Sequence, residues 1–427
     1  MIQPTPFRQI RTTLTVACFA FATCQAADWP AFRGPDGNGI SREVNAPTEW
    51  SQTKNIKWKV KLPRPGNGSP IVSNGRVFLA CALDAKGLRR SLMCFDRISG
   101  EQQWTRTVDF DKEMPTHETN PYGGSTPVAN GKRLVVWHSS AGLHCYDVSG
   151  KELWQRNLGE FQHMWGYGSS PILHEGKVII NCGPGKRTFL TAISLETGET
   201  IWEREEPFKG DGDRNENGKY MGSWSTPVIA KVNGRDQIIC AMPTRLNAYE
   251  PSSGQPIWTC DGVRGPKGDL AYSSPMISDD LCVLISGFNG PGMAVKLGGR
   301  GNVTPTHRLW RNEENPQNIG TGVFLDGYIY RSNAGRPSIV DCIDAKTGAV
   351  VWKGPSGGSS WSSIVYAAGS LYLTDQDGST LVFQPNPEKF VAVAENRLNE
   401  PTNSSIAISD GEIFLRTAEH LYCIANE

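Results

Sequence analysis

The chain has 427 residues, 43 basic and 43 acidic, with 46 glycines and 28 prolines. Balanced charge with no Lys/Arg stripe argues against nucleic acid or an anionic membrane as partner. The Gly and Pro content fits a turn-dense all-β protein, and past the N-terminal leader nothing has the length and apolarity of a transmembrane helix.

In chain order, residues 1–26 carry Arg8, Arg11, an apolar run from Leu14 to Ala22 and a small-residue end at Ala26. This reads as a secretory signal peptide, implying a periplasmic or secreted protein. Cys24 after Phe-Ala-Thr is a poor lipobox, so a lipid anchor there is the lesser reading. Residues 27–427 read as a single domain. It begins with a Gly/Pro-rich arm over 27–50 and a strand over 56–62 that carries Trp58.

A repeat then takes over. Cys94 to Trp104 (CFDRISGEQQW) returns as Ala192 to Trp202, Ala248 to Trp258 and Cys342 to Trp352, and one residue shorter as Cys145 to Trp154. Each copy is a small residue on a strand, a turn closing on Gly, and a second strand ending in Trp. The small residue is expected to leave room for an indole from a neighbouring strand. Each cycle opens on Ser/Thr-Pro, at Pro70, Pro127, Pro171, Pro227 and Pro275, with degenerate openings at Gly322, Ile364 and Ile406. Closing aromatics are Trp104, Trp154, Trp202, Trp258, Trp310, Trp352 and the weaker Phe390.

Eight openings with seven closings leave one blade a strand short, and the orphan strand around Trp58 supplies it. The expected fold is all-β: an eight-bladed β-propeller of four-stranded antiparallel blades, closed by an N-terminal strand. Seven blades is the main alternative, because the last three repeats are degenerate.

The Cys residues fall in repeat-equivalent slots, too far apart to bridge, and read as small buried hydrophobes. There is no CxxC, CxxCH or vicinal Cys pair.

The Ala-x-Asp-x-x-Thr-Gly-x-x-x-Trp pattern, kept in Cys94 to Trp104 and Cys342 to Trp352 with Cys for Ala, resembles the PQQ-like (quinoprotein-type) β-propeller repeat. The segments WPAFRGPDGNGIS, HETNPYGGSTPV and WGYGSSPIL are similar to secreted planctomycete-type PQQ-like propellers. The resemblance covers nearly the whole mature chain and implies the propeller fold. For function it implies two directions. One is a BamB-like scaffold that binds an envelope protein. The other is a PQQ-dependent oxidoreductase of alcohols or sugars, holding PQQ and calcium beneath a vicinal disulfide that this chain lacks.

In such a fold the loops leading into the inner strands and the loops between the two middle strands surround the channel mouth. The inbound loops supply His117, Glu118, Asn120, Tyr122, His163, Trp165, Tyr167, Trp224, Tyr272 and Trp361; the middle loops supply Lys186, Arg187, Arg245, Arg331 and Arg336. Trp224, Tyr272 and Trp361 share one offset, three before the opening residue, and are expected in one ring. Aromatics with cations at a concave mouth suit a flat anion, a sugar or a peptide; the competing reading is blade-to-blade contact. His117 and His163 match no metal-ligand spacing. Asp213 to Gly218 has half a calcium loop but lacks its twelfth-position Glu, and reads as a solvated insertion. Gly183 to Arg187 lacks the spacing and helix of a phosphate loop. No nucleophile motif is present. The sequence thus points to a monomeric, non-catalytic propeller binding an envelope protein or a small ligand, with no cofactor expected. A PQQ dehydrogenase and a carbohydrate-binding propeller are the alternatives.

Overall fold

A computed structural model describes Met1 and residues 28–426, apart from 208, 314, 336 and 337. The expected leader, with Cys24, lies outside the described residues. The repeat folds as a four-stranded antiparallel meander. In the first sheet the strands are Ile71–Ser73, Arg76–Ala82, Arg89–Asp96 and Gln102–Asp109, and the pattern recurs in seven more sheets. These are numbered blades 1 to 8, with inner strands beginning at Ile71, Val128, Ile172, Val228, Met276, Val323, Val365 and Ala407. Blade 8 takes its outer strand from the other end of the chain. There Ile56–Lys61 pairs antiparallel with His420–Ile424, and Trp58 lies opposite Cys423.

Every blade but the seventh sets its small slot residue directly across from its closing aromatic, as with Cys94 and Trp104, Ala192 and Trp202, and Cys342 and Trp352. A register shift follows at once, turning the outer strand. The indole then reaches the next blade and lies on its turn glycine. A Cβ on Gly100 would meet Trp58 at 2.6 Å, one on Gly150 would meet Trp104 at 2.9 Å, and those on Gly198 and Gly348 would meet Trp154 and Trp310 at 2.7 Å. All four glycines have φ between 73° and 83°, so both conformation and contact require Gly. Indole nitrogens then bond the same turn: Trp58 to the Arg97 carbonyl and Trp154 to the Leu195 carbonyl, both at 3.0 Å. Where the full repeat is kept, it holds a blade to its successor: the indole stands beside the small slot of its own blade and lies on the turn Gly of the next.

Phe390 departs from the expected role. It packs on Trp352 and Phe383, and Val382 faces Ala394 across the outer strand. Blade 7 is instead covered by Trp50 of the arm, stacked on Tyr372 at 6.5 Å, its backbone N–H donating to Asn396 Oδ1 at 2.7 Å.

The arm crosses the channel before reaching Trp50. Trp29 pairs with Val72, Pro30 accepts the Ala129 N–H at 2.8 Å, and Ile40 bridges Tyr366. Between them Arg33 is buried and donates to the carbonyls of Thr321 (3.0 Å) and Gly322 (2.7 Å). Burial lowers its pKa to about 9.

The nine described cysteines are free and buried. Burial pushes the Cys94 and Cys145 thiols up to about 12, which leaves them protonated and unreactive.

Trp58→Ala removes a buried indole from the seam that joins the chain ends. It is expected to cost about 3–5 kcal/mol, read as a lowered denaturant midpoint; an unchanged midpoint would show the closing strand contributes nothing to stability.

Candidate functional site

The residue just before each inner-strand opening is Ser or Thr in all eight blades, whether or not Pro follows. These hydroxyls form a belt. The Ser69 N–H donates to Thr126 Oγ1, Thr126 to Ser170 and Ser170 to Thr226, each at 3.0 Å. Ser274 continues to Thr321 (2.9 Å), Thr321 to Ser363 (3.1 Å), Ser363 to Ser405 (2.8 Å) and Ser405 back to Ser69 (3.0 Å). Among the described residues the link from Thr226 to Ser274 is the one not formed.

Two residues earlier, strand alternation points a second ring at the channel: Asn67, Gly124, Gly168, Trp224, Tyr272, Ile319, Trp361 and Asn403, taking blades 1 to 8 in order. Both rings line one cavity of about 330 Å³. Phe32 of the arm also lines it, so the arm closes the channel below the belt. The upper ring is two-sided. Its amides come from neighbouring blades 8 and 1, and its Trp224–Tyr272 pair from blades 4 and 5, opposite them.

The aromatic wall is built by an insertion. Tyr220–Ser223 pairs in parallel with Gly268–Ala271, which pairs with Arg264–Gly265. The Trp224 N–H donates to the Ala271 carbonyl at 2.8 Å. Trp224 meets Tyr272 edge-on at 5.2 Å; Trp165 meets Tyr220 at 4.4 Å, Trp224 at 5.9 Å and Phe288 at 6.0 Å. A Cβ on Gly222 would lie 2.6 Å from Trp224. The insertion is solvated as expected, with residues 216–219 exposed, and Asn215 braces it: its side chain accepts the N–H groups of Asn217 and Lys219 and donates to buried Asp269 at 3.0 Å. Glu216 pairs with Arg264 at the surface. Buried Asn215, its side chain committed to these bonds, is not free to ligate calcium.

His163 lies under this wall, buried, 4.8 Å from Trp224 edge-on. Its Nε2–H donates to the Met221 carbonyl (3.0 Å) and its Nδ1 accepts the Trp165 N–H (3.1 Å). Burial is the main cause of its lowered pKa, so it orients the wall as a neutral ring. His117 is exposed, with Nδ1 on Thr119 Oγ1 at 2.8 Å. Neither His belongs to a metal-capable cluster among the described residues.

Of the fifteen residues expected at the mouth, His117, Asn120, Trp165, Trp224, Tyr272 and Trp361 line the cavity. Tyr122 and Tyr167 are buried beside it around the Arg90 guanidinium, at 4.9 and 5.9 Å. Glu118 and Lys186 are exposed outside the lining. The expected ring of cations does not form, because the arginines have other partners. Arg187 pairs with Glu203 and Glu205, Arg245 with Glu206 (2.9 Å), and buried Arg331 with Asp341. Arg336 lies outside the described residues. The lining among the described residues holds no Asp, Glu, Lys or Arg.

Sequence reasoning missed Asn67, Asn403, Gln317 and Phe288. The first two sit at the very offset used for the aromatics, and applying it to all eight openings finds them. Gln317 and Phe288 fall at no repeat position.

On the mouth side of blade 7, Asp375 is 1% exposed. Its Oδ2 accepts the Gly358 N–H at 2.7 Å, Oδ1 has no partner among the described residues, and burial raises its pKa to about 8.

The chain matches the family model described as outer membrane protein assembly factor BamB over residues 88–354. It is 21% identical over 285 residues to a quinohemoprotein alcohol dehydrogenase of Comamonas testosteroni, a match covering 53% of this chain and 37% of that one. The matched region therefore spans well under half of that relative's length. Among solved structures, that organism's quinohemoprotein alcohol dehydrogenase aligns with TM-score 0.66 at 13% identity, covering 93% of this chain and 80% of the other. BamB from Moraxella catarrhalis aligns with TM-score 0.56 at 13% identity, covering 87% and 97%. At these identities the structural likeness establishes the propeller fold.

Asp375 gives a signed pH dependence. Between its ordinary value of 3.8 and about 8 the folded protein holds a proton that the unfolded chain has released. Its contribution to stability is full below that range and is lost as pH rises through about 8. Asp375→Asn is expected to gain thermal stability over the parent progressively from pH 5 to pH 8.5. A difference that does not vary with pH would refute the assignment.

Proposed function

Because this chain belongs to the family of the outer membrane protein assembly factor BamB, we propose that it is an exported, non-catalytic propeller that binds an uncharged ligand or partner segment at its channel mouth. The observation that carries this reading is the lining: aromatic rings, amides and hydroxyls, with no ionised side chain among the described residues. Concave, largely apolar sites with a few convergent polar groups are the usual form of a small-molecule site, and about 330 Å³ is at the small end of their ~300–1,000 Å³ range.

The dehydrogenase alternative needs PQQ and calcium, and the residues present do not fit them. PQQ carries carboxylates that must find donors or cations once desolvated, and the lining among the described residues offers no cation. Calcium requires several oxygen ligands, carboxylates among them. The lining among the described residues has no carboxylate, and two of its amides are already committed. Asn120 donates to the carbonyls of Trp165 (2.8 Å) and Tyr167 (2.9 Å), while Asn403 donates to Thr119 and accepts from Gln376, both at 2.9 Å.

Purified protein mixed with PQQ and calcium is expected to show neither dye-linked oxidation of alcohols or sugars nor bound-quinone absorbance. A stoichiometric quinone spectrum would overturn the reading.

A further inference from the structure

We infer that the mouth is a saccharide site, taking the end of a neutral oligosaccharide of one or two rings; this rests on the reading of the mouth as a binding site and names its ligand class. Three independent features of the cavity converge on that chemistry.

The first is the two-sidedness of the upper ring. A pyranose has an apolar C–H face and an equatorial fringe of hydroxyls, so it is best held between an aromatic surface and groups that both donate and accept hydrogen bonds. Trp224 and Tyr272, backed by Trp165 and Phe288, supply the aromatic side. Across the channel lie Asn67, whose side-chain oxygen accepts no bond among the described residues, and Asn403, whose amide nitrogen keeps one hydrogen uncommitted. Gln317 adds a lining amide with no hydrogen-bond partner among the described residues, and His117 adds a lining imidazole whose Nε2 is likewise unpartnered. An amide donates and accepts at once, which suits a hydroxyl and gives no preference for charge.

The second feature is the floor. Belt hydroxyls accept an N–H from the preceding blade, yet a Ser or Thr hydroxyl still has its own proton to give. Among the described residues Thr126, Ser170, Thr226, Thr321 and Ser363 donate that proton to no protein acceptor. The base of the cavity is thus a circle of O–H donors that hydroxyl or ring oxygens could satisfy.

The third is shape. The arm, with Phe32 in the lining, makes the channel blind. Only a small molecule or a chain end fits about 330 Å³, so a long segment cannot thread through. An uncharged wall discriminates against uronic acids, whose carboxylate would be desolvated without a counter-charge.

The test is titration of the full mature chain with cellobiose, xylobiose, maltose and glucuronate, by calorimetry and by tryptophan fluorescence, since Trp165, Trp224 and Trp361 all line the site. Saturable binding of at least one neutral disaccharide is expected, with glucuronate much weaker. Trp224→Ala should weaken it at least about tenfold. Gln317→Ala, which removes no internal bond and so keeps the fold intact, should weaken it about 3- to 10-fold. If no neutral saccharide binds while an envelope protein is retained in a Trp224-dependent way, the saccharide assignment fails and the binding mouth stands. If PQQ binds and saccharides do not, both fail. Affinity for glucuronate equal to that for the neutral disaccharides would also overturn the assignment.

Discussion

The structure depends on one recurrent hydrogen bond, from the backbone N–H that precedes each inner strand to the hydroxyl of the same residue in the next blade. These N–H groups face a narrow channel and have no strand partner. Left unpaired and buried, each would cost a desolvation penalty larger than the net worth of the bond itself. Ser or Thr at every opening removes that cost, and because the bonds all run in one sense, satisfying the eighth blade requires the first. Ser405 donating to Ser69 at 3.0 Å is that closure. It occurs beside the seam where Trp58 lies on Gly100 and Arg97 reaches Glu412 at 2.8 Å. The belt inside and the indoles outside are two hoops on the same ring.

Both hoops lapse at one junction. Thr226 does not reach Ser274, and Trp258, unlike its counterparts, stays within its own blade, donating to Gln237 at 3.1 Å. Backbone pairing replaces them between blades 4 and 5. Gly301–Asn302 pairs in parallel with the outer strand of blade 4, Val303 donates to the Thr259 carbonyl at 2.9 Å, and Tyr220–Ser223 pairs with Gly268–Ala271. That last pairing also carries Trp224 and Tyr272. The aromatic wall therefore owes its clustering to an interruption of the repeat: the insertion that substitutes for the ordinary fastening gathers Trp224 and Tyr272 at one side of the mouth, while Trp361 of blade 7 lines it singly beside Asn403.

This division explains what the sequence revealed. The blades, their order and the borrowed strand were legible because they rest on a local rule written many times, with a small residue, Gly and Trp at fixed spacing. The place of the indole beside the small slot was legible too, but its second contact, on the turn Gly of the next blade, was not, because nothing in a single copy of the repeat encodes the neighbouring blade. Phe390 was given Trp50's place because nothing in the arm's sequence marks Trp50 as belonging to blade 7, 346 residues from its partner Asn396. At the mouth, position relative to the opening residue was informative, and charge was not. Arg187, Arg245 and Arg331 look available in sequence, but their carboxylate partners are set by strand pairing that no short motif encodes.

The disposition of arginine follows from the same geometry. The inward ends of the blades present carbonyls as well as N–H groups, and hydroxyls in a belt satisfy mainly the latter. Long guanidinium side chains serve the carbonyls: Arg33 those of Thr321 and Gly322, and Arg416 that of Ala80 at 2.9 Å with Gly68 at 3.3 Å. Five donors in a planar fork fit several carbonyls at once, and burial against neutral acceptors accounts for the depressed pKa of both groups. Among the described residues, charge near the channel is thus turned into the wall and absent from the cavity lining. A mouth built this way selects by shape, stacking and hydroxyl geometry, so the neutrality of the cavity follows from how the ring is held together.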